Sequence, residues 1–308
     1  MRGRRNNWAE LGILGFLGLL VILSLVIPQL FRDQGVSPLL AISVLLRDTD
    51  SSAARQGMEK AADEFGVELR FLTPSGQDMG GEQEELFLRE LDGGAEAVVA
   101  VPWDPESLYA ALLRQKERCP VVTLESRMDG AAGMVAPDNA LLGRQLAQTL
   151  LEEWDGGEVI LLNTAPRCTG VAERLQAARE ALEEAGVPVR TEESLPQDLE
   201  GAGWMLAFDP AATQQAAERK ETEELSLMLY GVGASTAVTS QLERGNIAAV
   251  AAWSDYAAGY LAVRQAAEAV QGGSGPLSPL TFSIIRREEI YEPENQKLLF
   301  PIMSSSGR

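Results

Sequence analysis

Leu39-Leu-Ala-Ile-Ser-Val-Leu-Leu46, Ser51-Ser-Ala-Ala-Arg-Gln-Gly-Met-Glu-Lys-Ala-Ala-Asp-Glu-Phe65 and Val67-Glu-Leu-Arg-Phe-Leu72 follow one another with few residues between them. The first segment is apolar at nearly every position, the mark of a strand covered on both faces. In the second, Ala54, Met58, Ala61 and Ala62 recur at the spacing of one helix face. The third reads as a strand again. Strand, helix and strand in this order make a parallel unit with a right-handed crossover.

The alternation continues along the chain. Helices are expected at 81–91, from Pro105 onward, and at 140–154, 171–185, 211–219, 235–244 and 256–270. Strands are expected at 97–101, 121–124 and 159–162, near Val187 and Trp204, and at 225–230 and 247–252. Gly272-Gly-Ser-Gly-Pro276 reads as a surface turn before a last strand at 281–285. About ten such units are too many for one open sheet. The expected fold is therefore α/β, with two doubly wound parallel-sheet lobes.

The chain has 308 residues, 26 of them basic and 45 acidic, a net charge of -19, and no histidine. Without imidazole, Ser-His-Asp and Cys-His catalysis and His-ligated metal sites are excluded, and neither a cofactor nor a metal is expected. The acidic excess excludes nucleic acid as a partner, because phosphate binding needs a basic footprint. Cys119 and Cys168 are too few for a disulfide framework and read as unpaired.

The first 35 residues differ in kind. Arg2, Arg4, Arg5 and Arg32 outnumber Glu10 and Asp33, so this stretch is slightly basic and the acid falls on the rest. Leu11 to Ile27 carries no charge, and its length sits at the lower edge of the roughly 20 residues that span a bilayer. Residues 1–35 are expected to be a cytoplasmic stub and transmembrane helix, with a cleaved secretory signal as the competitor. Either way the remainder lies outside the cytoplasm.

In sheets of this kind function gathers at the carboxyl ends of the strands. Those ends here are Arg47-Asp-Thr-Asp50, Pro102-Trp-Asp104, Glu125-Ser-Arg127, Asn163-Thr164, Phe208-Asp209 and Gly231-Val-Gly233. None is a G-x-G-x-x-G or G-x-x-x-x-G-K-[ST] phosphate loop. Carboxylates, an arginine and an indole suit a hydroxyl-rich or cationic small molecule instead. Plainer roles compete: Asp48 and Asp50 can cap the helix at Ser51, Glu125 and Arg127 can form a surface pair, and Arg174 can lie on a solvated helix face. Trp103 and Trp253 can serve only as packing. Asp138 and Asn139 read as caps of the next helix. No nucleophile and base stand together, so an enzyme is not expected.

The run Gly57-Met-Glu-Lys-Ala-Ala-Asp-Glu-Phe-Gly66, then Pro120-Val-Val-Thr-Leu-Glu-Ser-Arg127, then Asp138-Asn139 with Leu142-Gly143, resembles type I periplasmic binding proteins. Tyr230-Gly-Val-Gly-Ala-Ser235 followed by Leu242-Glu-Arg-Gly-Asn-Ile-Ala248 resembles the same family, and the similarity spans about residues 38 to 292. It implies lobes of 36–138 plus 254–282 and 139–253 plus 283–308, joined by a three-crossover hinge that closes on a ligand. It implies ligand roles for Asp48, Asp50, Glu125, Arg174 and Asp209. Ser126 stands where the family has an arginine, with Arg127 as a substitute; Gly233 stands where an aspartate is common, and Trp253 where a glutamine sits. Trp103 and Trp253 can cover the apolar face of a sugar.

The resemblance implies a monomeric solute-binding protein that captures a sugar or polyol for an ABC transporter permease. A membrane-anchored sensory ectodomain of the same fold, for a cationic ligand or with binding lost, is the alternative, with a sensor protein as partner.

Overall fold

The computed structural model describes residues 39–47, 52–76, 78–115, 119–199, 201–273, 275 and 277–300. The expected transmembrane helix and candidates Asp48 and Asp50 lie outside them. Among the described residues no helix is long and apolar enough to cross a membrane.

The opening unit forms as its pattern dictates: β1 (Leu40–Leu45), α1 (Ser52–Phe65) and β2 (Val67–Leu72), with β1 and β2 parallel from Leu40 against Val67 onward. Next come α2 (Met79–Asp92), β3 (Ala97–Ala100), α3 (Pro105–Leu113), β4 (Val121–Leu124) and a three-residue β5 (Gly133–Val135). These strands make one parallel sheet in the order β2-β1-β3-β4-β5. Every residue of β3 and β4 is buried, which is why they read as continuous apolar runs.

The chain then enters a second sheet through α4 (Asn139–Leu151), β6 (Val159–Leu162), α5 (Thr169–Glu184), β7 (Val189–Glu192) and β8 (Trp204–Ala207). It continues with α6 (Pro210–Thr222), β9 (Met228–Val232), α7 (Thr236–Glu243) and β10 (Ala249–Trp253). After β10 it returns to the first lobe as α8 (Asp255–Val270), which packs on α1 and on β3, β4 and β5. It crosses once more to β11 (Phe282–Arg286), a short 3-10 turn at Arg287–Glu289 and α9 (Pro293–Leu299). The second sheet runs β11-β10-β9-β8-β6-β7. The chain thus passes between the sheets three times, and a bridge from Pro137 to Leu280 ties two of the passages together.

One expectation needs correction: β11 pairs with β10 antiparallel, from Ala249 against Arg286 to Trp253 against Phe282. No helix joins the strands on that side, since α8 belongs to the other lobe, and without a crossover helix over the sheet the last strand can run backwards along its edge. β5 and α9 are elements that the sequence pattern did not reveal.

Each lobe has one helix pair in unusually close contact. A Cβ on Gly143 of α4 would fall 2.0 Å from the Arg174 carbonyl oxygen of α5. A Cβ on Gly57 of α1 would fall 1.9 Å from the Tyr256 carbonyl oxygen, and one on Gly259 of α8 would fall 2.0 Å from that of Ala54. Glycine is required at these crossings because the backbones themselves touch.

Candidate functional site

The carboxyl ends of the strands face each other across the two lobes, and short polar caps fix where α3, α4, α6 and α8 start. Asp104 accepts a hydrogen bond from the Ser107 backbone, Asp138 from Leu141, Asp209 from Ala212, and Ser254 from Ala257. Charged groups leave the sheets from these fixed points.

From the first lobe, Arg47 follows β1 and Glu125 follows β4. Glu125 has φ 61°, a left-handed conformation that costs a residue with a side chain. Its backbone N–H still donates to Val135, and its carbonyl accepts from Asn139 Nδ2 at 3.1 Å. The conformation turns its carboxylate toward Arg47, whose Nη2 donates to Oε2 at 2.7 Å. The Arg47 guanidinium also donates to Cys168 Sγ at 3.1 Å and lies 5.8 Å from the Trp103 ring.

From the second lobe, α5 brings Arg174, with its side chain 0% exposed. Its Nε donates to Asn139 Oδ1 at 2.7 Å and its Nη1 to the Phe208 carbonyl at 3.1 Å, and its guanidinium lies 4.9 Å from the Trp253 ring. Nη2 has no hydrogen-bond partner and stands 3.7 Å from Glu125 Oε2. At the end of β8, the buried Asp209 caps α6 and accepts from the Thr164 hydroxyl at 2.8 Å.

The electrostatics follow from this packing. Burial pushes the Glu125 carboxyl upward, but Arg47 and Arg174 outweigh it and hold the group below the usual carboxylate range. Burial works against the charge of Arg47 too, yet Glu125, Cys168 and Asp209 raise its pKa on balance. For Arg174 burial prevails and lowers the pKa, with Glu125 opposing; a guanidinium so placed still stays charged. Burial raises the Cys168 thiol above its ordinary value against the opposing pull of Arg47. The thiol donates to the Pro102 carbonyl at 3.2 Å.

Beside the ion cluster lies a cavity of about 160 Å³ between the lobes. Its polar lining is Arg47, Glu125, Gln214, Ser235 and Asp255; Trp253 and Pro210 supply apolar walls. Two sequence candidates, Glu125 and Trp253, therefore line it directly. Arg174 and Asp209 stand behind the lining in the ion cluster. Trp103 lies on a different opening at the lobe seam, with Asp78, Asp104 and Arg167.

Arg127 is displaced from the group: its side chain is 67% exposed and 3.6 Å from Glu173, while its backbone exchanges hydrogen bonds with Thr169. The surface pair considered for it with Glu125 is absent, because Glu125 faces Arg47 and Arg174. Gly233 adopts φ 133°, a Cβ there would stand 3.1 Å from that of Pro210, and the residue does not line the cavity, although its neighbours Ala234 and Ser235 do. The solvated-face role considered for Arg174 is overturned by its complete burial. Asp138 caps α4 as expected, whereas Asn139 joins Arg174 to the Glu125 carbonyl.

Arg47, Cys168, Gln214, Ser235 and Asp255 are site residues that sequence reasoning missed. Arg47 carried a usable signal, since it is the first charged residue after an eight-residue apolar strand.

The sequence profile described as the periplasmic binding protein domain matches residues 42–225. No curated protein matches the sequence. Among solved structures, a carbohydrate transporter solute-binding protein from Agrobacterium radiobacter in complex with D-arabinose superposes with a TM-score of 0.76 at 16% identity, covering 85% of this chain and 99% of that one. An ABC transporter solute-binding protein from Agrobacterium vitis with bound D-fucose gives 0.75 at 14% identity, covering 84% and 100%. A Caulobacter myo-inositol binding protein bound to myo-inositol gives 0.72 at 18% identity, covering 85% and 98%. At these identities the likeness is one of fold.

Proposed function

The chain belongs to the periplasmic binding protein domain family, and on that premise we propose that it captures a sugar or cyclic polyol between its two lobes, outside the cytoplasm. The observation that carries this reading is the pairing of Glu125 and Trp253 on the wall of one interlobe cavity. An ionised carboxylate accepts from vicinal hydroxyls, an indole covers the C–H face of a ring, and Gln214, Ser235 and Arg47 supply further donors. The sugar and polyol complexes of the three similar structures support the same ligand class.

Capture is reversible and involves no covalent step. The three passages between the sheets serve as the hinge, and closure shapes the surface that a transporter permease recognises. Residues 1–35 hold the domain at the membrane. The full-length chain titrated with D-arabinose, D-fucose, myo-inositol and a wider polyol panel should show at least one ligand that raises the melting temperature with the logarithm of its concentration once that exceeds the Kd. Glu125→Gln should weaken that ligand by about tenfold. A panel without any stabilising polyol would overturn the reading.

A further inference from the structure

Arg47 and Glu125 belong to the first lobe, whereas Cys168 and Arg174 belong to the second. The guanidinium of Arg47 is the piece that spans the gap, donating to Glu125 at 2.7 Å and to Cys168 at 3.1 Å. Arg174 approaches the same carboxylate oxygen from the opposite side at 3.7 Å. Two guanidiniums, Glu125 and Asp209 thus form a charge-neutral group without help from any other molecule. Further seam contacts run alongside: Arg167 to Asp104 at 2.7 Å, and the Arg127 backbone to Thr169 at 2.7 Å.

Building on the reading of the cleft as a polyol site, we propose that Arg47 is an internal occupant of that site, a latch that holds the lobes together until a ligand's hydroxyls replace it on Glu125. The argument is one of exchange. Separating the lobes strips Arg47 from Cys168 and Arg174 from Glu125, and a buried ion pair deprived of one partner is costly. A ligand offering several hydroxyl donors restores what Glu125 loses and frees Arg47 to donate to a ring or hydroxyl oxygen. An anionic ligand offers Glu125 nothing and meets Asp209 behind it. The latch therefore selects for donor-rich solutes and against anionic ones.

Cys168 reports the state of the latch. It is fully buried at the seam, whereas Cys119 lies partly buried beside Ala95 in the first lobe and away from the cleft. The full-length chain, with no ligand added, is treated with iodoacetamide, and the alkylation rate of each cysteine is read by mass spectrometry. Arg47→Ala should accelerate Cys168 by about tenfold or more, with Cys119 unchanged. Removing Arg47 also removes a charge that favours the thiolate, which by itself would slow the reaction. Because the Arg47 side chain also covers the sulfur directly, Arg47→Met is run beside the alanine variant: it keeps most of that cover and removes the donors, so acceleration that persists in it comes from opening.

An unchanged Cys168 rate overturns the latch. If both cysteines accelerate together in Arg47→Ala, that variant has unfolded and Arg47→Met decides: faster Cys168 alone supports the latch, and an unchanged rate refutes it. None of these readouts needs a bound polyol, so a failed ligand panel would remove the proposed function without touching this result.

Discussion

The guanidinium of Arg174 lies 4.9 Å from the ring of Trp253 while its Nε donates to Asn139, so one fully buried cation joins α5, the start of α4 and the end of β10. This places a charge at the point where the second lobe meets the passages to the first. It also makes Arg174 a structural member of the site, whatever it does to a ligand.

Arg174→Ala should lower unfolding stability by about 3 to 5 kcal/mol, because Glu125 and Asn139 lose a buried partner and a cavity opens over Trp253. Arg174→Lys keeps the charge but loses the Nε bond and the planar stack, and should cost about 1 to 3 kcal/mol. Urea denaturation measures both. A change below about 1 kcal/mol in the alanine variant would show that the cluster contributes little net stability.

Gly143→Ala and Gly259→Ala should each destabilise by about 1 to 3 kcal/mol, since the new methyl meets a backbone carbonyl that cannot rotate away. The two glycines lie in different lobes, so the double variant should show the sum of the single effects within about 0.5 kcal/mol. Denaturation midpoints at constant slope test this. Additivity failing by more than that would mean the lobes share their packing strain.

The Glu125 carboxyl, faced by Arg47 and Arg174, is held below its ordinary value of 4.5. A depressed native pKa means that the unfolded chain binds the proton more readily, so the stabilisation is complete above that ordinary value. It is lost as pH falls through the lower native value. The stability difference between the wild type and Glu125→Gln should therefore be constant from pH 7 to about 5 and shrink below it. A difference independent of pH down to 3 would contradict the ion pairing.

The parallel core was legible because its strands are buried on both faces and carry no polar interruption, as in Val159–Leu162 and Ala97–Ala100. β5 was not, because Gly133-Met-Val is only three residues long and half-buried at a sheet edge. The reversal of β11 was hidden for a different reason: strand direction depends on which lobe α8 joins, and that is a tertiary fact. Arg174 was more readable than its alternative role suggested. On α5 the buried positions are Gly170, Val171, Arg174, Leu175, Ala177, Ala178, Ala181 and Leu182, and the helical spacing of the apolar ones includes position 174. Arg127 misled because it is near Glu125 in sequence, while the left-handed turn at Glu125 sends the two side chains to different surroundings.

That turn has a consequence for how such a site can change. The backbone carbonyl of Glu125 accepts from Asn139, and a Cβ on Gly170 would fall 2.3 Å from that carbonyl oxygen. Its carboxylate meets Arg47 and Arg174 from opposite lobes. Ligand preference and the resting geometry of the molecule are thereby written into the same side chain. A substitution that retunes one retunes the other, and drift toward a new solute has to begin at Gln214, Ser235 or Asp255, on the remaining polar wall.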